Sequence, residues 1–533
     1  MFESPIQLIT DSNTLSEQCV NDLQLDKIYS HILGDNDDNH VREMWLTHYT
    51  TNKSFLKETQ KLLKNTTKYP LPVSTLDVKE IFDGLKEDIS FREKYGFITT
   101  KLFEKLNNYE QILQFISVYT LTSPILSLLT PLFLIFIPFF ILRIVGKKLN
   151  ISNYLNELKR CFEMLPIGKL FQMGQSSWDQ RGFIVFSIIL YIVQMYQNSL
   201  TCYKFYNNSQ KMVNDIHKIG TYCQLTSESM MSYNNLIKNL PTYSPFYNTL
   251  ISKIGELNEI SKKFSNVSIK TFKDMGLKMH LFYNIYCNEE YNELFKYTFS
   301  YHEYVKNVST FSKYTTLNNC RFSNIKMTFT DAYYALLQEE SAVKNSYSVK
   351  KNAIMSGPNA SGKTTILKST MINIILSQQI GKGFYKKASI IPQDHFHCYI
   401  NIPDTCGRDS LFQAEARRCR EILNVIEINS DAKHFCIFDE LFSGTNPYEA
   451  IGSATGYLNH INKYDNVKYM LTTHYLDLCK NFNNSLMVEN YTLENYFHLE
   501  KGISSVKGGI KILEALDFPS DIIQTAKRYV SLD

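Results

Sequence analysis

No Cys-x-x-Cys pair occurs among the eleven cysteines, and no spacing among them suits a zinc site. An odd, scattered set argues against a disulfide framework and fits reduced thiols inside the cell, in cytoplasm or nucleus. Strong net charge is missing too. At +4 over 533 residues there is no global basic field, so any nucleic-acid surface has to be local. Met1–Asp26 is acidic and has no apolar h-region, which is not the pattern of a signal peptide. Glycine is sparse up to about Asn318, and the chain shows no internal repeat and no low-complexity segment.

One absence is local. No charged residue lies between Glu110 and Arg143, a gap whose core runs Ile125 to Leu142, and a second uncharged stretch runs from Gly182 to Tyr203. The first is long enough to span a bilayer and the second is marginal. Two readings stand: membrane association through 125–145 and 183–196, or two helices buried in a large helical core, kinked at Pro131 and Pro138. A spanning hairpin would expose Lys147, Lys148, Lys159, Arg160 and Lys169 on the far side, against the positive-inside tendency. A re-entrant or monotopic insertion avoids that conflict.

What is present divides near residue 325. Residues 1–325 carry long helical periodicity, as in Phe55-Leu56 with Leu62-Leu63 and Leu236 with Leu240, punctuated at Pro70-Leu71-Pro72 and Pro241. Over 326–533 short apolar runs alternate with helical stretches, an α/β pattern. The fold class expected is therefore α + α/β.

The α/β half holds the most specific motif. Gly357-Pro358-Asn359-Ala360-Ser361-Gly362-Lys363-Thr364 fits G-x-x-x-x-G-K-[ST], follows the apolar Ala353-Ile354-Met355, and leads through Thr365 into a helix-like Ile366–Gln379. Backbone N–H groups at such a helix start cradle phosphates. Lys363 reaches the β/γ oxygens and Thr364 ligates Mg²⁺, so the expected ligands are ATP and Mg²⁺. Downstream, Phe435-Cys436-Ile437-Phe438 is an apolar strand delivering Asp439 to the metal and Glu440 to the attacking water. Leu441-Phe442-Ser443-Gly444-Thr445-Asn446-Pro447 follows at once. Its small hydroxyls suit a phosphate contact, in this subunit or a neighbour, although an ordinary turn has the same composition. Tyr469-Met470-Leu471-Thr472-Thr473 ends in His474, a residue able to sense the γ-phosphate or position water.

This order of motifs resembles the MutS family of DNA mismatch-repair ATPases. Ser389-Ile390-Ile391-Pro392 with Asp394 and Phe396 agrees, as do Gly407-Arg408-Asp409-Ser410-Leu411-Phe412 with Glu415 and Ile422-Leu423. So does the tail Gly502–Arg528, with Lys507-Gly508-Gly509-Ile510, Leu516 and Pro519. The resemblance covers about 325–533 and implies an ABC-type P-loop ATPase domain preceded by a helical core and lever region. It implies phosphate binding over Gly357–Thr365, Mg²⁺ at Thr364 and Asp439, and Glu440 as catalytic base. It also implies His474 as switch and Ser443 reaching the γ-phosphate of the opposite subunit of a homo- or heterodimer on double-stranded DNA. Tyr333 or Tyr334 is the candidate for stacking on the base.

The helical part leaves no room for the family's mismatch-reading and connector domains, and no nuclease tail is expected after the ATPase. Phe91-Arg92-Glu93 has the letters of the family's mispair wedge, yet its charged setting, Lys86–Lys94, reads as a solvated helix. The leading functional reading is a DNA-binding, ATP-gated dimeric clamp in mismatch repair or in recognition of branched DNA. The alternative is a membrane-associated ATPase of the same type acting on a lipid or protein partner.

Overall fold

The computed structural model describes residues 1–34, 38–66, 76–133, 136–146, 150–164, 168, 178–265, 267, 274–400, 402, 410–493, 497–504, 513–514 and 516–530. Residues 70–72, 407–409 and 507–510 of the motifs above, with Lys147, Lys148 and Lys169, lie outside the described residues.

From the N-terminus the chain forms β1 (Ser12–Thr14), α1 (Glu17–Leu23), α2 (Leu25–Leu33), α3 (Asn39–Thr47), β2 (His48–Thr50) and α4 (Lys53–Thr66). Longer helices follow: α5 (Leu76–Glu87), α6 (Glu110–Phe133), α7 (Ile137–Ile144), α8 (Ile151–Met164), α9 (Trp178–Ile237), α10 (Ser244–Ser265), α11 (Met275–Cys287) and α12 (Glu289–Lys313). Strands and helices then alternate. They are β3 (Asn318–Phe322), β4 (Thr328–Ala332), β5 (Asn345–Ser348), β6 (Asn352–Ser356), α13 (Lys363–Ile380), β7 (Lys382–Gly383), β8 (Lys387–Ile390) and β9 (His395–Tyr399). After these come α14 (Leu411–Ile428), β10 (His434–Asp439), α15 (Pro447–Ile461), β11 (Val467–Thr473), α16 (Leu476–Asn481), β12 (Val488–Thr492), β13 (Glu500–Lys501) and α17 (Ser520–Val530). The protein is a mixed helix-and-sheet fold, as the two sequence patterns predict.

Two compact units result. One gathers residues 1–72, 230–252 and 297–533, the other 73–229 and 253–296. The division near 325 follows a change of sequence pattern, whereas the units follow contacts and are discontinuous along the chain.

In the first unit a six-stranded sheet has the order β13-β12-β6-β11-β10-β9. All its pairings are parallel except that of β13 at the edge. Strands covered on both faces need unbroken apolar runs, and Phe435, Cys436, Ile437 and Phe438 of β10 are fully buried. Helices α14 and α15 pack on it through Ile422, Ile426, Ala450, Ala454 and Leu458. Each starts where its sequence says. Ser410 and Gln413 form a reciprocal capping box before α14, and Asn446 caps α15 with Pro447 in the first turn. A second sheet, β5-β4-β8-β3-β7, is built from short strands, several of them polar.

The N-terminal segment belongs to this same unit, and α13 ties it down. Gln379 Nε2 donates to the carbonyls of Trp45 and His48, both at 2.7 Å. Gln378 Nε2 donates to Thr50 O at 3.2 Å and Gln393 O at 2.9 Å. Tyr49 Oη donates to Asp394 O at 2.7 Å, and Gln60 Nε2 to Cys320 O at 2.9 Å. Both glutamines of α13 are buried, so these bonds satisfy amides that would otherwise be costly to desolvate.

The second unit corrects two expectations. Phe91 is not on a solvated helix. It is fully buried, with its ring 4.0 Å from Tyr286 and 5.3 Å from Phe97, while Arg92 pairs with Glu104. A nearby run of charge hid a core aromatic. The uncharged helices are not a buried core pair either: only 11% of the apolar window of α6 and 6% of that of α9 is buried.

Candidate nucleotide site

Strand β6, buried along its whole length, ends at Ser356. The chain then turns through residues 357–362 into α13. The turn depends on backbone that an L side chain resists: Gly362 sits at φ 87° in the left-handed region immediately before Lys363. At Gly357 an added Cβ would lie 3.0 Å from Ser361 Oγ and 3.1 Å from Leu493 O. Lys363 folds back over the loop, Nζ donating to the carbonyls of Gly357 and Pro358 at 2.9 Å each. Burial lowers its pKa, opposed by the nearby carboxylates of Glu440 and Asp439. Ser361 Oγ is buried with no hydrogen-bond partner among the described residues. An orphaned hydroxyl inside a loop of N–H donors fits a phosphate oxygen.

Strand β10 brings the carboxylates to this loop by its parallel pairing with β11, which sets Asp439 opposite Thr472. Thr364 Oγ1 donates to Asp439 Oδ2 at 2.8 Å, and Thr472 Oγ1 donates to Asp439 Oδ1. A hydroxyl and a carboxylate so close offer the hard oxygen donors that Mg²⁺ takes. Glu440 has φ 55°, strained for a residue other than glycine, and its N–H donates to Thr472 O at 3.1 Å. Glu440 Oε1 lies 3.5 Å from His474 Nδ1. The hydrogen bond from His474 is the leading cause that holds the Glu440 carboxyl below the usual range, with the charges of His474 and Lys363 adding to it against burial.

Asn359–Ile366 and Glu440 border a cavity of about 600 Å³, whereas Gly357, Pro358, Asp439 and His474 are not among its lining residues. Its other wall holds Tyr333, Tyr334, Leu337, Val343, Tyr347 and Phe497. Of these only the tyrosine pair 333 and 334 was picked out from sequence. Asn345 fastens that wall: its Nδ2 donates to Phe497 O at 3.1 Å and its Oδ1 accepts from Leu499 N at 2.8 Å. Nothing local in sequence marks Asn345 or Phe497, because they meet across more than 150 positions.

Ser443 lies outside the residues that border the cavity. Its backbone N and its Oγ donate to Glu415 Oε1 at 3.0 and 2.9 Å, and Gly444 N donates to Glu415 Oε2 at 3.1 Å. Glu415, on α14, is almost completely buried. A carboxylate that accepts three bonds organises the Ser-Gly turn; the sequence singled out Glu415 only as part of the family resemblance and assigned it no role. The turn is also closely approached by α14, since a Cβ on Gly444 would meet Leu411 at 2.7 Å.

A phosphate-type loop, an acidic strand end beside it and an organised Ser-Gly turn make up a candidate nucleotide site. Residues 353–532 match the family model of MutS domain V. Among curated proteins, the "Endonuclease MutS2" of Staphylococcus aureus is 28% identical over 218 residues, covering 38% of this chain and 29% of that protein. The protein of that name from strain MRSA252 is also 28% identical and from strain JH9 27%, each matched over 27% of its length. This chain thus spans less than a third of the length of these relatives. The family match is thus confined to the part of this chain that begins at β6.

Proposed function

We propose that this chain is a Mg²⁺-dependent ATPase of the MutS type that binds double-stranded DNA as a dimer and uses the nucleotide state to close and open on it. The observation that carries the catalytic part is the meeting of Lys363 and Thr364, after β6, with Asp439 and Glu440, at the end of β10, the two strands flanking β11. On ATP binding Lys363 exchanges its two carbonyl partners for phosphate oxygens, and the free Ser361 hydroxyl donates to a third. Thr364 and Asp439 hold Mg²⁺, which when bound neutralises charge on the β- and γ-phosphates. Glu440, kept ionised beside His474, accepts a proton from the attacking water. In the dimer Ser443 approaches the partner's γ-phosphate, its N–H remaining on Glu415 while the hydroxyl turns away. The DNA-binding part, and a role in mismatch repair or branched-DNA recognition, rest on likeness to the family.

The pairing of Glu440 with His474 has a consequence for pH. A carboxyl with a depressed pKa remains a base as pH falls, and loses that role only below its lowered value. Removing the leading cause, in His474→Ala, raises the pKa and moves the acidic limb of the kcat profile toward neutral pH. A limb that does not move would remove His474 from this role.

Binding of the purified protein to a mismatched and a fully paired duplex, with ADP and with ATP over a range of salt, tests the DNA reading. Affinity should fall steeply as salt rises, by roughly 10³-fold or more between 50 and 200 mM for a clamp that neutralises six or more phosphates. Preference for the mismatch that ATP abolishes would mark a repair sensor. Binding to neither duplex at low salt would overturn the DNA reading and leave the ATPase intact.

A further inference from the structure

We propose that α6, α7 and the first part of α9 form a hairpin that inserts into a lipid bilayer and anchors the protein there. The inference rests on the hairpin alone and is independent of what the ATPase acts on.

The two helices are joined by polar groups turned toward one another. Tyr191 Oη donates to Ser127 O at 2.9 Å, Asn198 Nδ2 to Ser127 Oγ at 2.6 Å, and Cys202 Sγ to Leu121 O at 3.4 Å. Several hydroxyls are satisfied on their own helix, among them Thr122 by Val118 O and Ser187 by Phe183 O. Apolar side chains face outward instead. Phe115, Val118, Ile125, Leu126, Leu128 and Leu129 are exposed on α6, and Phe183, Phe186, Ile189, Leu190, Ile192 and Val193 on α9. At 100° per residue each set covers roughly half the helix circumference, wider than the ~100° stripe of a helix packed on one protein neighbour. The outward face is mainly apolar, with Gln194 and Gln197 exposed on it as well, and the polar groups between the helices find the internal partners that hydrocarbon demands.

Length and ends agree with this. The 24 residues of α6 measure about 36 Å, and the uncharged stretch 182–203 about 33 Å, against a hydrocarbon core of about 30 Å. The first charges beyond the apolar part are Glu110 at the start of α6, Arg143 at the end of α7, and Arg181 and Lys204 on α9. Trp178 is exposed, with the Arg181 guanidinium 5.1 Å from its ring centre, and Tyr203 is exposed at the other end. Aromatic rings and basic heads are the groups that settle at headgroup level. Helix α8 exposes Ile151, Leu155 and Phe162 and carries Lys159 and Arg160. That is the composition of a helix lying along the interface.

The test uses the full chain, purified in detergent and mixed with phosphatidylcholine vesicles, which carry no net charge. The wild type should float with the vesicles through a density gradient, survive high salt and carbonate, and show quenching of Trp178 by brominated lipid. Leu128→Arg with Ile189→Arg should reduce the floated fraction at least tenfold, because a guanidinium is costly to place in hydrocarbon. The same protein should hydrolyse ATP in detergent as the wild type does, showing that it folds. Leu128→Phe with Ile189→Leu should float normally. A wild type that stays at the bottom of the gradient overturns the proposal. If it then runs as a dimer that the arginine pair dissociates, the apolar face belongs to a second copy of this chain.

Discussion

Glu440→Gln should bind ATP and Mg²⁺ about as well as the wild type and hydrolyse it 10²- to 10⁴-fold more slowly, the span usual for loss of a general base. Gln keeps the shape and a hydrogen-bond acceptor for His474, but it cannot take the proton of water. Asp439 is a different case, since its two oxygens are engaged with Thr364 and Thr472, and changing it should impair metal use first. Single-turnover hydrolysis together with fluorescent-nucleotide binding separates the two. A Glu440→Gln protein within a few-fold of wild-type kcat would show that another group activates the water.

Glu415→Ala is expected to be nearly as damaging, although Glu415 touches no nucleotide. It removes a buried carboxylate that accepts from Ser443 N, Ser443 Oγ and Gly444 N. Hydrogen bonds to a charged group are worth about 1.5–3 kcal/mol each, and Ser443 is exposed enough for water to replace part of that. A net loss of about 2 kcal/mol is therefore expected from those bonds, read as a lowered Tm or denaturation midpoint. The sharper readout is hydrolysis. Ser443→Ala and Glu415→Ala should each slow it, and the double variant should be no slower than the worse single one, as for residues that act as a unit. Fully additive losses would separate the two residues functionally.

The legible parts of this protein are those where one physical demand fixes the residues locally. Burial on both faces makes β10 and β6 continuous apolar runs, and phosphate approach imposes the glycines of the loop at Gly357 and Gly362. The illegible parts depend on distant partners. Glu415 looks like any helical glutamate until the Ser-Gly turn, 28 positions later, is folded onto it. Phe91 sits among lysines and glutamates and reads as exposed, yet Tyr286 and Phe282 close over it from residues far along the chain. The uncharged runs announced apolar helices at once. Their lack of charge could not decide between a core and a face left outward, because only neighbours settle that.

Helix α13 begins at the phosphate loop and finishes, about 27 Å away, in glutamines bonded to the backbone of residues 45–50. A cut at the apparent start of the strand-rich half would therefore not liberate an independent ATPase. It would strip both carbonyl partners from Gln379 and one of the two from Gln378, and lay open Asp394 O and the far end of the helix to solvent. The opening residues of the chain act as the socket into which the nucleotide helix is seated. Any rocking of that helix at the triphosphate end must be felt by the socket first.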